Sequence, residues 1–135
     1  MKKRVAAASL LYVPLALAHH SFAMFDLNKE VTVEAVVKEV QFTNPHVWIQ
    51  IKVADAKGRR TEWGIEAGAR GMMIRAGWTS STLKPGDKIT LVMHPLKDGK
   101  PSGSLVRVTL NDGRVLSNGG GPPPPPPTAV PAEVR

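Results

Sequence analysis

Val31-Thr32-Val33-Glu34-Ala35-Val36-Val37-Lys38-Glu39-Val40-Gln41-Phe42 is the stretch whose reading decides the fold. Val31, Val33, Ala35 and Val37 alternate with Thr32, Glu34, Val36 and Lys38, the period of two that a strand with one buried face requires. Val40 and Phe42 continue the apolar series only if the phase slips by one residue near Lys38-Glu39. A bulge there predicts a long, bent strand that serves two sides of a barrel. Asn44-Pro45 ends it.

Downstream the same period recurs. Val47, Ile49, Ile51 and Val53 share one face and His46, Trp48, Gln50 and Lys52 the other. Asp55-Ala56-Lys57-Gly58 reads as a hairpin turn, with Gly58 supplying a positive φ. The returning strand, 60–66, carries Thr61, Trp63 and Ile65 inward and sets Glu62 and Glu66 on a solvated outer face.

Residues 68–77 form the helical candidate, two to three turns with Ala69, Met72, Met73 and Ala76 on one side and Gly77 as the stop. Gly71 weakens it by about 1 kcal/mol relative to Ala. Pro85-Gly86 fits a type II turn into a strand, 88–94, with Ile89, Leu91 and Met93 facing alike. A strand over 105–110 places Val106, Val108 and Leu110 inward, and Asn111-Asp112-Gly113 turns into 114–116. Three strands, a short helix and two or three more strands predict a mainly β chain. The expected architecture is a small OB-like antiparallel barrel of five to six strands with one short helix. A small antiparallel sandwich is the rival.

The two ends stand apart from this domain. Met1-Lys2-Lys3-Arg4, the apolar run from Val5 to Leu17 and Ala16-Leu17-Ala18 have the form of a secretory signal peptide, residues 1–18. Pro14 and the shortness of the run argue against a membrane-spanning helix. The predicted location is the periplasm, with no transmembrane segment after processing. Residues 119–135 form a disordered Gly/Pro-rich tail containing six consecutive prolines, Pro122 to Pro127. Such a rod cannot join a core and suits a spacer or a protein-partner ligand. Residues 19–118 remain as one domain.

The 135-residue chain has 18 Lys+Arg, 11 Asp+Glu and no Cys. Without thiols, disulfide scaffolds, Cys-ligated zinc and iron–sulfur clusters are excluded. Removal of the signal lowers the formal side-chain charge from +7 to +4. The remaining cations are diffuse, with Arg59-Arg60 the adjacent pair, so no nucleic-acid partner is expected.

Histidines carry the chemistry that remains. Cleavage after Ala18 would leave His19 with a free α-amine beside its imidazole, and His20 next to it. Cleavage after Ala23 would remove both. His46 follows Pro45 and His94 precedes Pro95, which places both at strand ends on a barrel rim. Amine and imidazole nitrogens without thiolate favour copper(II), with zinc and nickel next. Asp26, near the first histidines, is a candidate to orient one of their rings. Met24 offers a softer ligand, whereas Met72, Met73 and Met93 read as packing residues. Each histidine also has a bland reading: His46 as a strand-end side chain bonded to backbone, His94 as a structural residue, and His19 and His20 as residues that simply lie beside the cleavage site. Trp48, on the face of His46, offers a ligand surface. Trp63 reads as core and Trp78 as a plug of the barrel end. Glu62 and Glu66 make no convincing acid–base pair.

His19-His20-Ser21, Asn44-Pro45-His46-Val47-Trp48 and Leu83-Lys84-Pro85-Gly86-Asp87, with Glu62-Trp63 and His94-Pro95, resemble an uncharacterised family of small exported bacterial proteins. The resemblance covers roughly residues 19–116. It implies a periplasmic domain and draws attention to His19, His20, His46 and His94, but it implies no activity. Three functional expectations follow. The first is a metal-binding protein, for copper(II), that sequesters or delivers the ion without turnover. The second is an OB-like ligand-binding or assembly module without metal, and the third is a copper redox enzyme built on an amino-terminal histidine.

Overall fold

The computed structural model describes residues 22–119. The signal-peptide reading, His19, His20 and the proline run lie outside the described residues. A 3-10 turn, Phe22–Met24, precedes β1 (Val31–Gln41), β2 (Trp48–Ala54), β3 (Arg60–Glu66), α1 (Arg70–Arg75), β4 (Lys88–Pro95), β5 (Ser102–Thr109) and β6 (Val115–Ser117). The sheet order is β3-β2-β1-β4-β5-β6, and β3 also pairs with β5, which closes five strands into a barrel and leaves β6 as an added strand on β5. This is the OB-like arrangement predicted from the order of elements. One seam departs from an all-antiparallel barrel, because β3 and β5 run parallel. They are not consecutive in the chain, so no hairpin constrains their relative direction.

β1 is the hinge of the closure. Its first half pairs with β4, from Val31↔Met93 to Val36↔Lys88, and its second half with β2, from Ala35↔Val53 to Gln41↔Trp48. The register with β2 shifts between Val37 and Glu39, where the alternation slips in the sequence. One residue without a partner bends the strand there, so Val37 stays buried on one side of the bulge and Val40 packs on the core from the other.

The core is the expected set of alternating residues. Val47, Ile49, Ile51, Ile65, Leu91, Met93 and Val108 have no exposed surface. Trp78 is 2% exposed and its indole N–H donates to the Ser117 carbonyl at 2.8 Å, so it fills the barrel end and satisfies its polar edge. Trp63 is half-buried and packs at the margin of the core.

Two details differ from the alternation. In β5 the buried apolar side chains are Leu105 and Val108, with Val106 half-buried. The register with β4 shifts there, Val92 pairing with Arg107 and Met93 with Leu105, so Val106 is the inserted residue and the phase reverses across it. The helix is six residues long, shorter than the predicted 68–77, and Met72 stands 41% exposed while Met73 is fully buried. Gly77, at φ 92°, ends the segment as expected.

Candidate functional site at the barrel rim

His46 lies in the β1–β2 loop, which contains a cis Asn44–Pro45 peptide. Three contacts fix this loop. Val47 donates to the Gly68 carbonyl at 3.0 Å and accepts from Ala67 N–H at 2.8 Å, extending the β2–β3 ladder past the strand ends. The Arg70 guanidinium sits 5.7 Å from the centroid of the Phe42 ring, a cation–π contact that ties the loop to α1.

The ladder sets Trp48 opposite Glu66, which makes Glu66 a diagonal neighbour of His46 on the outer face of the barrel. Nδ1 of His46 is 2.7 Å from Oε1 of Glu66. A carboxylate accepts only, so Nδ1 carries the proton and donates it. Glu66 is 8% exposed as a residue, which corrects the solvated outer face expected for it. Glu62 is exposed as expected and accepts from Lys38 Nζ at 2.7 Å.

Across the parallel seam Glu66 pairs with Ser104, and Ser104 pairs with His94. Trp48, Glu66, Ser104 and His94 therefore form one row across four strands on the outer face, with neighbours spaced about 4.8 Å apart. Ser104 is 5% exposed. Nδ1 of His94 lies 2.9 Å from the Lys29 carbonyl, and since a carbonyl only accepts, this ring too has its proton on Nδ1. In both rings the nitrogen that would meet a metal ion is Nε2.

The segment leading into the domain is pinned beside His94. Asp26 N–H donates to the Pro95 carbonyl at 2.9 Å, Lys97 N–H donates to the Met24 carbonyl at 3.0 Å, and Phe25 bridges Leu96. Phe22, Leu27, His94, Ser104 and Asn118 line a groove of about 400 Å³. The chain leaving β6 forms its far wall, held where Asn118 Oδ1 accepts from Gly68 N–H at 2.6 Å.

The other sequence candidates fall as follows. The Asp26 carboxylate accepts from the Asn28 amide at 3.3 Å; the carboxylate bonded to an imidazole is Glu66. Trp48 is half-buried on the outer row, and Met24 is exposed. Among the described residues no three or more His, Asp or Glu side chains come together as a metal-holding group. His46 with Glu66 and His94 with Lys29 are thus two separately oriented histidines on one face. Glu66 escapes a reading by face alternation, although counting back from the 55–58 turn would have set it diagonal to His46.

Carboxylates held below their ordinary range lie away from these histidines. Asp55, Asp98 and Asp112 are lowered chiefly by backbone N–H donors, from Arg59, Lys100 and Arg114 respectively, and Glu62 chiefly by the Lys38 ammonium.

Neither a curated protein nor a solved structure matches the chain. A family model does, over residues 8–106, which spans the rim histidines as well as the two that precede the described residues. The chain belongs to that family, DUF6152, a family of unknown function.

Proposed function

We propose that this is a periplasmic copper(II)-binding protein that sequesters or delivers the ion without turnover, using His19, His20, His46 and His94. The observation that carries the reading is the orientation of the two rim rings. His46 gives its Nδ1 proton to Glu66 and His94 gives its own to a backbone carbonyl. Metal-binding histidines characteristically donate the other ring N–H to a carboxylate or carbonyl, which fixes the tautomer and raises ligand basicity.

The order of the chain adds support. Phe22 shares a groove with His94, and His20 stands two residues before Phe22 in the sequence. Export after Ala18 would add an α-amine at His19, giving a nitrogen-only donor set that copper(II) favours over zinc and nickel.

Copper(II) titration against a competing chelator tests this on three chains: the one beginning at His19, the same chain with an alanine before His19, and a His46→Ala, His94→Ala double variant. Tightest binding by the first chain is expected. Equal affinity for the first two would remove the amine from the site, and equal affinity for the first and third would remove the rim histidines.

A further inference from the structure

A second cavity, of about 440 Å³, opens elsewhere on the barrel and shares no lining residue with the His94 groove. It forms where β1 passes from one partner strand to the other. Val36 pairs with Lys52 on one side and with Lys88 on the other, so the two lysines flank it on one face. Arg60, at the start of β3, adds a third cation to the lining. Val36 and Ala54 give this face its apolar surface, and Thr90 and Thr109 contribute hydroxyls from paired positions.

Charge pairing around this cavity is uneven. Asp55 accepts from Arg59 at 2.8 Å, Glu62 from Lys38 at 2.7 Å and Asp112 from Arg114 at 2.8 Å, while Asp87 accepts from the Lys84 amide at 2.8 Å. The nearby carboxylates are therefore already engaged. Lys52, Arg60 and Lys88 make no ion pair among the described residues, although Lys52 exerts a Coulombic pull on Glu62. Glu34 is the acidic side chain in the lining, so three cations face one anion there.

We infer that this cavity binds a small organic anion, a carboxylate or phosphate monoester with a compact apolar body. Lys52, Arg60 and Lys88 meet its charge, and Val36 and Ala54 meet its body. Concave sites that combine an apolar floor with a few convergent polar groups are the usual form of small-ligand sites. The three cations give the sign, and the floor distinguishes an organic anion from inorganic phosphate.

The test is amide NMR titration of the metal-free chain beginning at His19, with phenyl phosphate, benzoate, inorganic phosphate and sodium chloride at matched ionic strength. Saturable shifts at Ala54, Thr90 and Asn111 with phenyl phosphate or benzoate are expected, the stronger of the two identifying the head group. Inorganic phosphate should bind at least tenfold more weakly. A Lys52→Gln, Lys88→Gln double variant, shown to be folded by its amide spectrum, should lose at least tenfold in affinity. Lys57→Gln, on the β2–β3 turn, should change it less than twofold, and His46→Ala should leave it unaltered whether or not copper binds. Shifts that merely follow chloride, or a double variant with undiminished affinity, would overturn the proposal.

Discussion

Nδ1 of His46 lies 2.7 Å from Oε1 of Glu66, and Glu66 is the one acidic side chain buried in the described domain. The contact joins the β1–β2 loop to the end of β3. A loop histidine thereby acquires the orientation of a sheet residue.

Glu66→Gln retains the size and an acceptor oxygen but removes the charge that aligns the imidazole. Copper(II) affinity should fall about tenfold, the lower end of what loss of a ligand-orienting carboxylate costs. Folding stability should fall by about 1 kcal/mol. Competitive copper titration and urea unfolding of the same variant measure the two separately. Undiminished affinity would mean that Glu66 supports only the fold.

Gly103 stands where β4 and β5 approach closely, paired with Pro95 and adjacent to the Ser104↔His94 pair. A Cβ there would come 2.6 Å from Met93 Sδ and 2.8 Å from the His94 carbonyl oxygen. The sulfur can shift; the carbonyl belongs to the ladder. Gly103→Ala should destabilise by about 1–3 kcal/mol in denaturant unfolding, the usual range for overpacking. It should also move the His94 ring resonances, whereas Gly58→Ala, where no atom lies within 4 Å, should leave them in place.

Trp78 plugs the barrel end and donates to Ser117, linking the segment after α1 to β6. Trp78→Phe keeps most of the apolar area and should cost about 1–2 kcal/mol. Trp78→Ala should cost about 3–5 kcal/mol. Urea unfolding of both variants distinguishes the indole hydrogen bond from the packing. Equal losses would mean that the bond carries the effect.

Acid should weaken the fold through its turns. Asp55, Asp98 and Asp112 each accept backbone N–H groups one turn ahead, and their carboxyls sit below the ordinary 3.8, as Glu62 sits below 4.5. A lowered folded pKa means that the unfolded chain binds more protons in this window. The stabilisation is therefore complete above the ordinary values and is lost as pH falls through the folded ones. Thermal midpoints should be insensitive to these four groups from about pH 7 to 5 and fall below about pH 4. A triple Asp55→Asn, Asp98→Asn, Asp112→Asn variant should show a shallower acid slope. Parallel curves for the two proteins would contradict this account.

Much of the barrel was legible because alternation is a local property. The slip between Val37 and Val40 announced the β1 bulge, and Asp55 to Gly58 announced the hairpin beyond it. The corresponding bulge at Val106 was not legible, since Leu105, Val106 and Val108 are all apolar and any phase fits them. Met72 and Met73 were equally ambiguous in a helix of six residues. His46 and His94 were marked as rim residues by their prolines, but no local pattern named the groups that hold their rings.

The sequence by itself determined which residues point inward along each strand and hence the barrel class, because a one-residue slip would turn a whole apolar face to water. It also determined that any metal ligands in this chain are nitrogen, oxygen or thioether groups, since no cysteine is present. Only the tertiary structure decided that β3 meets β5 in parallel, and through that seam that Trp48, Glu66, Ser104 and His94 share one row. The pairing joins strands separated by α1 and β4, so its register depends on barrel closure, which no local periodicity encodes. That closure placed the oriented histidines on one outer face and buried the carboxylate of Glu66.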